Sequence, residues 1–366
     1  MATVDVLMPV KNAGPYLSEA IESVMGQTFA DWRLLVLDHG SNDGSLEVAR
    51  EYQERDSRIV VLEFPAADGL SGLLNLGLAQ ADGRYVLRQD ADDVSMPSRF
   101  AALCDAFESD RELVLVGTAA TIIDASGETV GRFSQPASPA AISAAAFFYN
   151  PIIHPSCGMR LDYLAKHQVR YGTDIIRALP GSQSIEVKSL AEDYFLFGQL
   201  AITAKCLNLN APLLKYRRHA GSISVEKYRE QLTCSVEISR FLARSFAAMR
   251  GTERFDPGPF CSHGEAVFDG GAIDYSHAYS VMAASLVSGL GESPDLTREL
   301  AFRRVLSKRT AAPMALSYAG FVAKHGLRSD ELRVVRNWLG RDVVRKRVFR
   351  LDEPTISNEV RTLPPA

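Results

Sequence analysis

Residues 87–100 read LRQDADDVSMPSRF, which sets three carboxylates into four positions just after the apolar run Tyr85, Val86 and Leu87. On a strand, side chains at i and i+2 project to one side, so Asp90 and Asp92 face a common point while Asp93 turns away. Two carboxylates with open positions beside them suit a hard divalent cation, Mg²⁺ or Mn²⁺, held partly by substrate phosphates. Alone the pattern is weak, because acidic turns at strand ends are common and usually only solvated. Its weight comes from the rest of the chain.

Upstream, strand-like and helix-like segments alternate. Residues 4–10 read as a buried strand, 16–27 as a helix, 32–37 as a strand and 45–56 as a helix. Residues 59–64 are again strand-like, 72–80 helical, and 85–88 a further strand. This alternation predicts an α/β fold with a mainly parallel sheet and helices on its faces. Ligands of such sheets bind beyond the carboxyl ends of the strands. Polar residues gather there: Pro9, Lys11 and Asn12, then Asp38 to Asp43, then Asp68 and Gly69, then Asp90 to Asp93.

These segments, in this order, resemble the N-terminal nucleotide-binding half of the family 2 glycosyltransferases, which have a Rossmann-like GT-A fold. The resemblance rests on VDVLMPVKNAGPYLSEAIESVMGQT from Val4, VLDHGSNDGS around Asp38, ADGLSGLLNLGLAQADGRYV, and the acidic stretch itself. NPIIHPSCGMR around His154, LAEDYFLFGQLA around Asp193 and LLKYRRHAGSIS around His219 are similar to later landmarks of that family. It implies an inverting enzyme that moves a sugar from a nucleoside-diphosphate donor, a UDP-sugar being favoured, to a hydroxyl of a glycan or glycolipid, as in cell-surface polysaccharide synthesis. The competing expectation is a nucleotide-sugar or glycan-binding module that keeps the fold without turnover. A sugar nucleotidyltransferase is disfavoured, since no Gly-rich triphosphate loop bearing Lys or Arg lies near the N-terminus.

The resemblance assigns Asp92 as direct metal ligand, Asp90 to the ribose and metal waters, and His219 to the diphosphate or the metal. Asp93 and Arg99 would hold the loop. An imidazole ligand tilts preference from Mg²⁺ toward Mn²⁺; the ordinary alternative is a surface histidine beside Arg217 and Arg218. Those arginines are either phosphate clamps or solvated charge. Asp38 matches the acid that contacts the base, and its acceptor-only carboxylate suits an imide N–H, although it could equally cap its own turn. The family often has a second acid where this chain has His39. Pro9, Asn12 and Asp68 would shape the nucleotide pocket, and Asn75 would secure a loop. Asp193 matches the general base, Glu192 would orient the acceptor, and His154 would line its cleft. Acids in a first helical turn usually need no functional explanation, and a histidine in an apolar segment is more often structural.

The whole chain, 366 residues with 46% hydrophobic and 23% charged residues, can bury a full core. Its formal charge of -4 provides no general basic field for nucleic acid. Five cysteines without a CxxC pair suit reduced thiols. The start lacks a signal-like segment and no apolar run is long enough to span a bilayer, so a cytoplasmic location is expected. Two parts are expected: a GT-A domain over 1–225 and a mostly helical region over 226–366 with a disordered tail. Tyr228, Leu232, Val236, Leu242, Phe246 and Met249 recur near helical spacing, before a Gly- and Pro-rich loop over 251–271. Cys261, His263, Glu265 and Asp269 in that loop match no zinc spacing well. In 330–351, Leu332, Val335, Trp338, Leu339 and Val343 can line one face beside Arg333, Arg336, Arg341, Arg345, Lys346 and Arg347. That basic helix either packs on the protein or rests peripherally on anionic lipid at the inner face of the membrane.

Overall fold

The computed structural model describes residues 2–219, 228–261, 275–308, 311–329, 331–336, 339 and 360–362. Strand β1 (Val4–Val10) is buried along nearly its whole length, as its apolar run requires of a strand covered on both faces. It pairs in parallel with β2 (Trp32–Asp38) on one side and β4 (Tyr85–Arg88) on the other, and β2 pairs with β3 (Ile59–Glu63). Helices α1 (Leu17–Met25), α2 (Ser45–Arg55) and α3 (Gly69–Gln80) make the crossovers. Asp5, fully buried within β1, is matched by Arg33 at 2.7 Å and by the backbone N–H groups of Asp82 and Gly83.

Past β4 the sheet becomes mixed. β5 (Val94–Ser95), α4 (Arg99–Ser109), β6 (Leu113–Ile123), β7 (Thr129–Phe133), α5 (Pro139–Ala145) and β8 (Gly158–Arg160) follow in the chain. Then come α6 (Leu161–Lys166), β9 (Ile185–Val187), α7 (Glu192–Thr203) and β10 (Lys205–Arg217). The strand order is β3-β2-β1-β4-β8-β6-β10-β5, with β7 beside β6. β8 runs antiparallel between β4 and β6, β5 is antiparallel to β10, and β10 runs parallel to β6. The expected parallel sheet with flanking helices is therefore present in its first half. The short strands β5, β7 and β8 add the antiparallel pairings, which segments of two to five residues do not betray by periodicity.

Two features open a crevice at the carboxyl ends. The β1–β4 ladder stops at Leu7↔Arg88, and Pro9, with no N–H to donate, lies just beyond it. The loops after β1, β2 and β4 follow at this carboxyl end of the sheet, where ligands of such sheets bind.

Helices α8 (Tyr228–Arg250), α9 (Ser276–Leu290), α10 (Pro294–Leu306) and α11 (Ala311–His325) make up the later part. Cys234, Ile238, Phe241, Phe246, Met282, Leu286 and Leu300 share one buried cluster with Leu7, Leu35 and Val86 of the sheet. The change from alternation to helices falls near residue 225, yet one core runs across it. Farther on, Phe302, Val305, Met314, Tyr318, Phe321 and Val335 make a separate cluster, with Leu332 and Leu339 packed against it. Arg298 donates two hydrogen bonds to the Glu331 carboxylate, at 2.8 and 2.7 Å, and pins residues 331–336 to α10. The apolar residues Leu332, Val335 and Leu339 thus rest on protein, whereas Trp338, Val343 and the arginines beyond 340 lie outside the described residues, as do His263, Glu265 and Asp269. Residues 360–362, inside the tail expected to fray, form β11 (Val360–Thr362) against β9, satisfying backbone groups of that short edge strand. Among the described residues no helix is long and apolar enough to cross a membrane.

Val335 is 2% exposed. Val335→Asp should cost at least about 2 kcal/mol through an unpaired buried charge, while the exposed Arg336→Glu should stay within about 0.5 kcal/mol. Urea unfolding of both variants distinguishes this packing from a face left free for lipid, in which case the two would unfold alike.

Candidate active site

The loop after β4 is built around buried polar groups. Arg99 is fully buried and donates to Gln89 Oε1 and Ser95 Oγ, both at 2.7 Å, and to the Arg88 carbonyl. Burial lowers its pKa to about 10, which leaves it charged at neutral pH. Gln89 closes the turn by donating to the carbonyls of Asp90 and Asp93. The turn gathers oxygens of Asp90, Asp92 and Asp93 within 4.8 Å of one another. At that separation and an effective dielectric of about 20, each ionised pair repels by about 3–4 kcal/mol, so a proton or a cation must relieve it. Burial, then repulsion from Asp90, raises the pKa of Asp92, while His219 opposes the rise. Asp93 is pushed far higher by its deeper burial.

The strand β10 carries His219 back over this loop, 127 residues later, and sets Nε2 3.0 Å from Asp92 Oδ2. Both side chains are part exposed, with the imidazole against Tyr16. A carboxylate and an imidazole presented together at a strand-end crevice, with Asp90 alongside, form a donor set that fits Mn²⁺ or Mg²⁺. Arg217 has a different part. It is 3% exposed, its backbone N–H reaches Asp93 Oδ1 at 2.8 Å, and its Nε reaches the Asp92 carbonyl at 2.8 Å. Its remaining nitrogens reach Glu19 and the Asp124 carbonyl, and its guanidinium stacks on Tyr16 at 4.7 Å. Arg217 is neither solvated charge nor a free phosphate clamp, because its donors are spent on shaping the loop.

On the nucleotide side, Asp38 is 2% exposed and accepts N–H bonds from Gly40 and Ser41. Asn12, at φ 53°, accepts from Asn42 N–H at 2.9 Å, which ties the first loop to the second. His39 bridges to the Ala67 carbonyl at 3.0 Å. Asp68, 75% exposed, pairs with Lys188 at 2.7 Å. Asn75 exchanges two hydrogen bonds with the backbone of Tyr171.

Across the crevice, Glu192 and Asp193 open α7, where a helix start favours negative charge. Asp193 remains 23% exposed. Its Oδ1 accepts the Tyr194 N–H and its Oδ2 the Asn150 amide at 2.8 Å. Burial raises its pKa to about 6, with the Tyr194 N–H and Arg88 opposing. Glu192, 4% exposed, rises to about 8 through burial and repulsion from Asp193. The two acids titrate as a coupled pair above the ordinary carboxylate range, with the more deeply buried Glu192 pushed the farther. His154 sits 3.9 Å from Asp193 but is buried against Tyr171 and Phe197; burial, then Arg88, drives its pKa well down and leaves it neutral. Sequence reasoning missed Arg88, which is 2% exposed and bonded to Asp90 at 2.7 Å. A lone arginine closing an apolar strand was its only signal. Asn150 was also missed; it stood in a quoted segment with nothing to mark it.

Comparisons with known proteins bear on the family and the fold. Residues 5–167 match the model for glycosyl transferase family 2. Over those residues the chain carries the glycosyl transferase family 2 domain, and the relatives it resembles are named glycosyltransferases. An uncharacterized glycosyltransferase of Haemophilus influenzae is 26% identical over 245 residues, 65% of this chain and 72% of that protein. The O-antigen biosynthesis glycosyltransferase WbnJ of Escherichia coli is 26% identical over 249 residues, 66% of this chain and 89% of its own. Residues 1–349 of TarS from S. aureus, solved with UDP-GlcNAc, superpose with a TM-score of 0.53 at 16% identity, covering 96% of this chain and 94% of that one. These relatives are named as enzymes, which favours the catalytic expectation over the non-catalytic module.

Arg217→Lys keeps the charge but cannot reach Glu19 and the carbonyls of Asp92 and Asp124 together. We expect a loss of about 1–3 kcal/mol from the buried acceptors it abandons, measured by denaturant unfolding; an unchanged midpoint would show that the fork is dispensable.

Proposed function

We propose that this chain is a metal-dependent, inverting glycosyltransferase that moves a sugar from a nucleoside-diphosphate donor to a hydroxyl of a glycan or glycolipid. The observation that carries the reading is the pairing of two groups across one crevice: Asp92 with His219 on one wall, and a part-exposed carboxylate at Asp193 on the other. Asp92 and His219 would hold the cation, with Asp90 beside them. When bound, the cation neutralises charge on the departing diphosphate.

Asp193 is the general base in this reading. Its carboxylate takes the acceptor's hydroxyl proton as that oxygen bonds to the anomeric carbon, while the bond from that carbon to the diphosphate oxygen breaks with its electrons. A single displacement inverts the anomeric centre. Asn150 and the Tyr194 N–H hold the carboxylate, and Glu192, protonated in this reading, lies behind it and adds no competing charge. Asp38, with Pro9, Asn12 and Asp68, borders the nucleotide end of the crevice. A UDP-sugar is the favoured donor and a cell-surface polysaccharide or its lipid-linked precursor the favoured acceptor. The UDP-GlcNAc complex of TarS and the O-antigen role in the name of WbnJ support that choice. A lipid-linked acceptor would bring the protein to a membrane surface, for which Arg341, Arg345, Lys346 and Arg347 supply positive charge.

Two tests follow from the two walls. Asp92→Asn should abolish the gain in UDP affinity that Mn²⁺ confers in a calorimetric titration. The same gain in the variant removes the metal assignment. Asp193→Asn should keep UDP binding but lower transfer by about 10²- to 10⁴-fold. In the wild type, transfer should fall as pH drops through about 6, because protonated Asp193 cannot accept a proton. Glu192→Gln, which imitates the neutral acid, should stay active at pH 7; inactivity would mean that Glu192 works ionised.

A further inference from the structure

Asp193 is held from a segment that carries no acid or base of its own. Residues 146–150 run beneath the start of α7, and groups from four elements fix them. Tyr194 Oη on α7 donates to the Ala146 carbonyl at 2.7 Å, and Ser239 Oγ on α8 donates to the Phe147 carbonyl. Cys261 Sγ reaches that same carbonyl at 3.7 Å. From α10, Arg303 lies over the Tyr149 ring at 4.4 Å, itself paired with Glu299 at 2.7 Å. The next residue is Asn150. Gln135 Nε2 donates to its carbonyl at 3.0 Å, and its side-chain Oδ1 accepts the Ile152 N–H at 3.2 Å. That last bond settles which way the amide points, since only the oxygen can accept from an N–H. The Nδ2 group is thereby aimed at Asp193 Oδ2, 2.8 Å away.

We propose that Asn150 is the positioning residue of the catalytic base. It fixes the carboxylate rotamer so that the remaining lone pairs of Asp193 face the crevice, and it stabilises the ionised form by donating to it. The inference rests on the reading of Asp193 as base. An amide suits this place better than a charged donor, because it lowers the basicity of the carboxylate less than a neighbouring cation would. The other groups facing Asp193 are Glu192 beside it, the neutral His154 at 3.9 Å, Tyr171, and the charges of Arg88 and Asp90. Of these only Asn150 is a side-chain donor within hydrogen-bond distance among the described residues. It also joins the later helices to the chemistry: α8 and α10 hold the segment, and the segment holds the base.

Steady-state transfer is measured against pH for the full chain, with Asn150→Ala and Asn150→Asp beside Asp193→Asn. Asn150→Asp keeps the volume and the acceptor for the Ile152 N–H, which guards against a folding defect in the alanine variant, yet it loses the donor and adds a like charge. Both variants should lower kcat about tenfold or more, leave the donor KM unchanged, and move the acidic limb of the profile up by about one pH unit or more, farther in Asn150→Asp. A lower melting temperature with an unmoved limb in both variants would overturn the proposal and leave Asn150 a purely structural residue. Full turnover in Asp193→Asn would instead strike the reading of Asp193 as base, a result that the two Asn150 variants cannot imitate.

Discussion

A guanidinium at 2% exposure on the last residue of a central strand costs several kcal/mol unless carboxylates surround it. Arg88 is in that position. Burial works against its charge, but Asp90, bonded at 2.7 Å, and the negative potential of its surroundings outweigh it and keep the pKa raised. The same cation lowers the pKa of Asp93 and Asp193 and that of the His154 imidazolium. Since β4 lies between β1 and β8, the sheet sets this charge beneath both walls of the crevice. Asp90 and Asp93 on one side and Asp193 on the other thus lie within the field of this buried charge.

A second constraint explains why β10 is the longest strand, Lys205–Arg217. It pairs with β6 over most of its length and then with β5, the two-residue strand that follows the acidic turn. That last pairing delivers Arg217 to the carbonyl side of the turn and His219 to its open side. The buried contacts of Arg217 make the delivery specific: a residue unable to serve Glu19, Asp92 and Asp124 together would leave acceptors unsatisfied. The exposed part of the wall is then small, limited to carboxylate and imidazole.

Much of this was legible in the sequence where a local rule applied. The seven elements from Val4 to Arg88 follow from hydrophobic periodicity and fall within a few residues of their observed bounds, as with the helix expected over 16–27 and found at Leu17–Met25. Asp92 and His219 were singled out from motif order, and the fold brings them to 3.0 Å. What stayed hidden depends on tertiary burial. Arg217 looks like a solvated charge in YRRHAG because nothing local shows that one arginine of two turns inward. Asn150 is silent for the same reason: its role depends on a carboxylate 43 residues away. The shared core of sheet and later helices was also invisible, since an amphipathic helix such as α8 reads alike whether it covers a separate domain or this one.

The two acids that open α7 are both pushed above the ordinary carboxylate range by burial, and unequally. Glu192 and Asp193 are neighbours in sequence, yet successive helical positions point about 100° apart, which sends one into the core and the other to the crevice. Burial dominates at both, but Asp193 receives two hydrogen bonds to its carboxylate, from Tyr194 N–H and Asn150. The result is a gap between about 6 and about 8. Because the folded state binds these protons more tightly than an unfolded chain does, stability declines as pH rises from the ordinary carboxylate range through those values. The chain therefore gives up some stability to keep an ionised carboxylate in the crevice at neutral pH. It recovers part of that loss through Arg88, whose own burial is tolerable only because the acids are there. Each charge makes the other's burial tolerable, so Arg88, the acidic turn and the start of α7 form a single electrostatic unit.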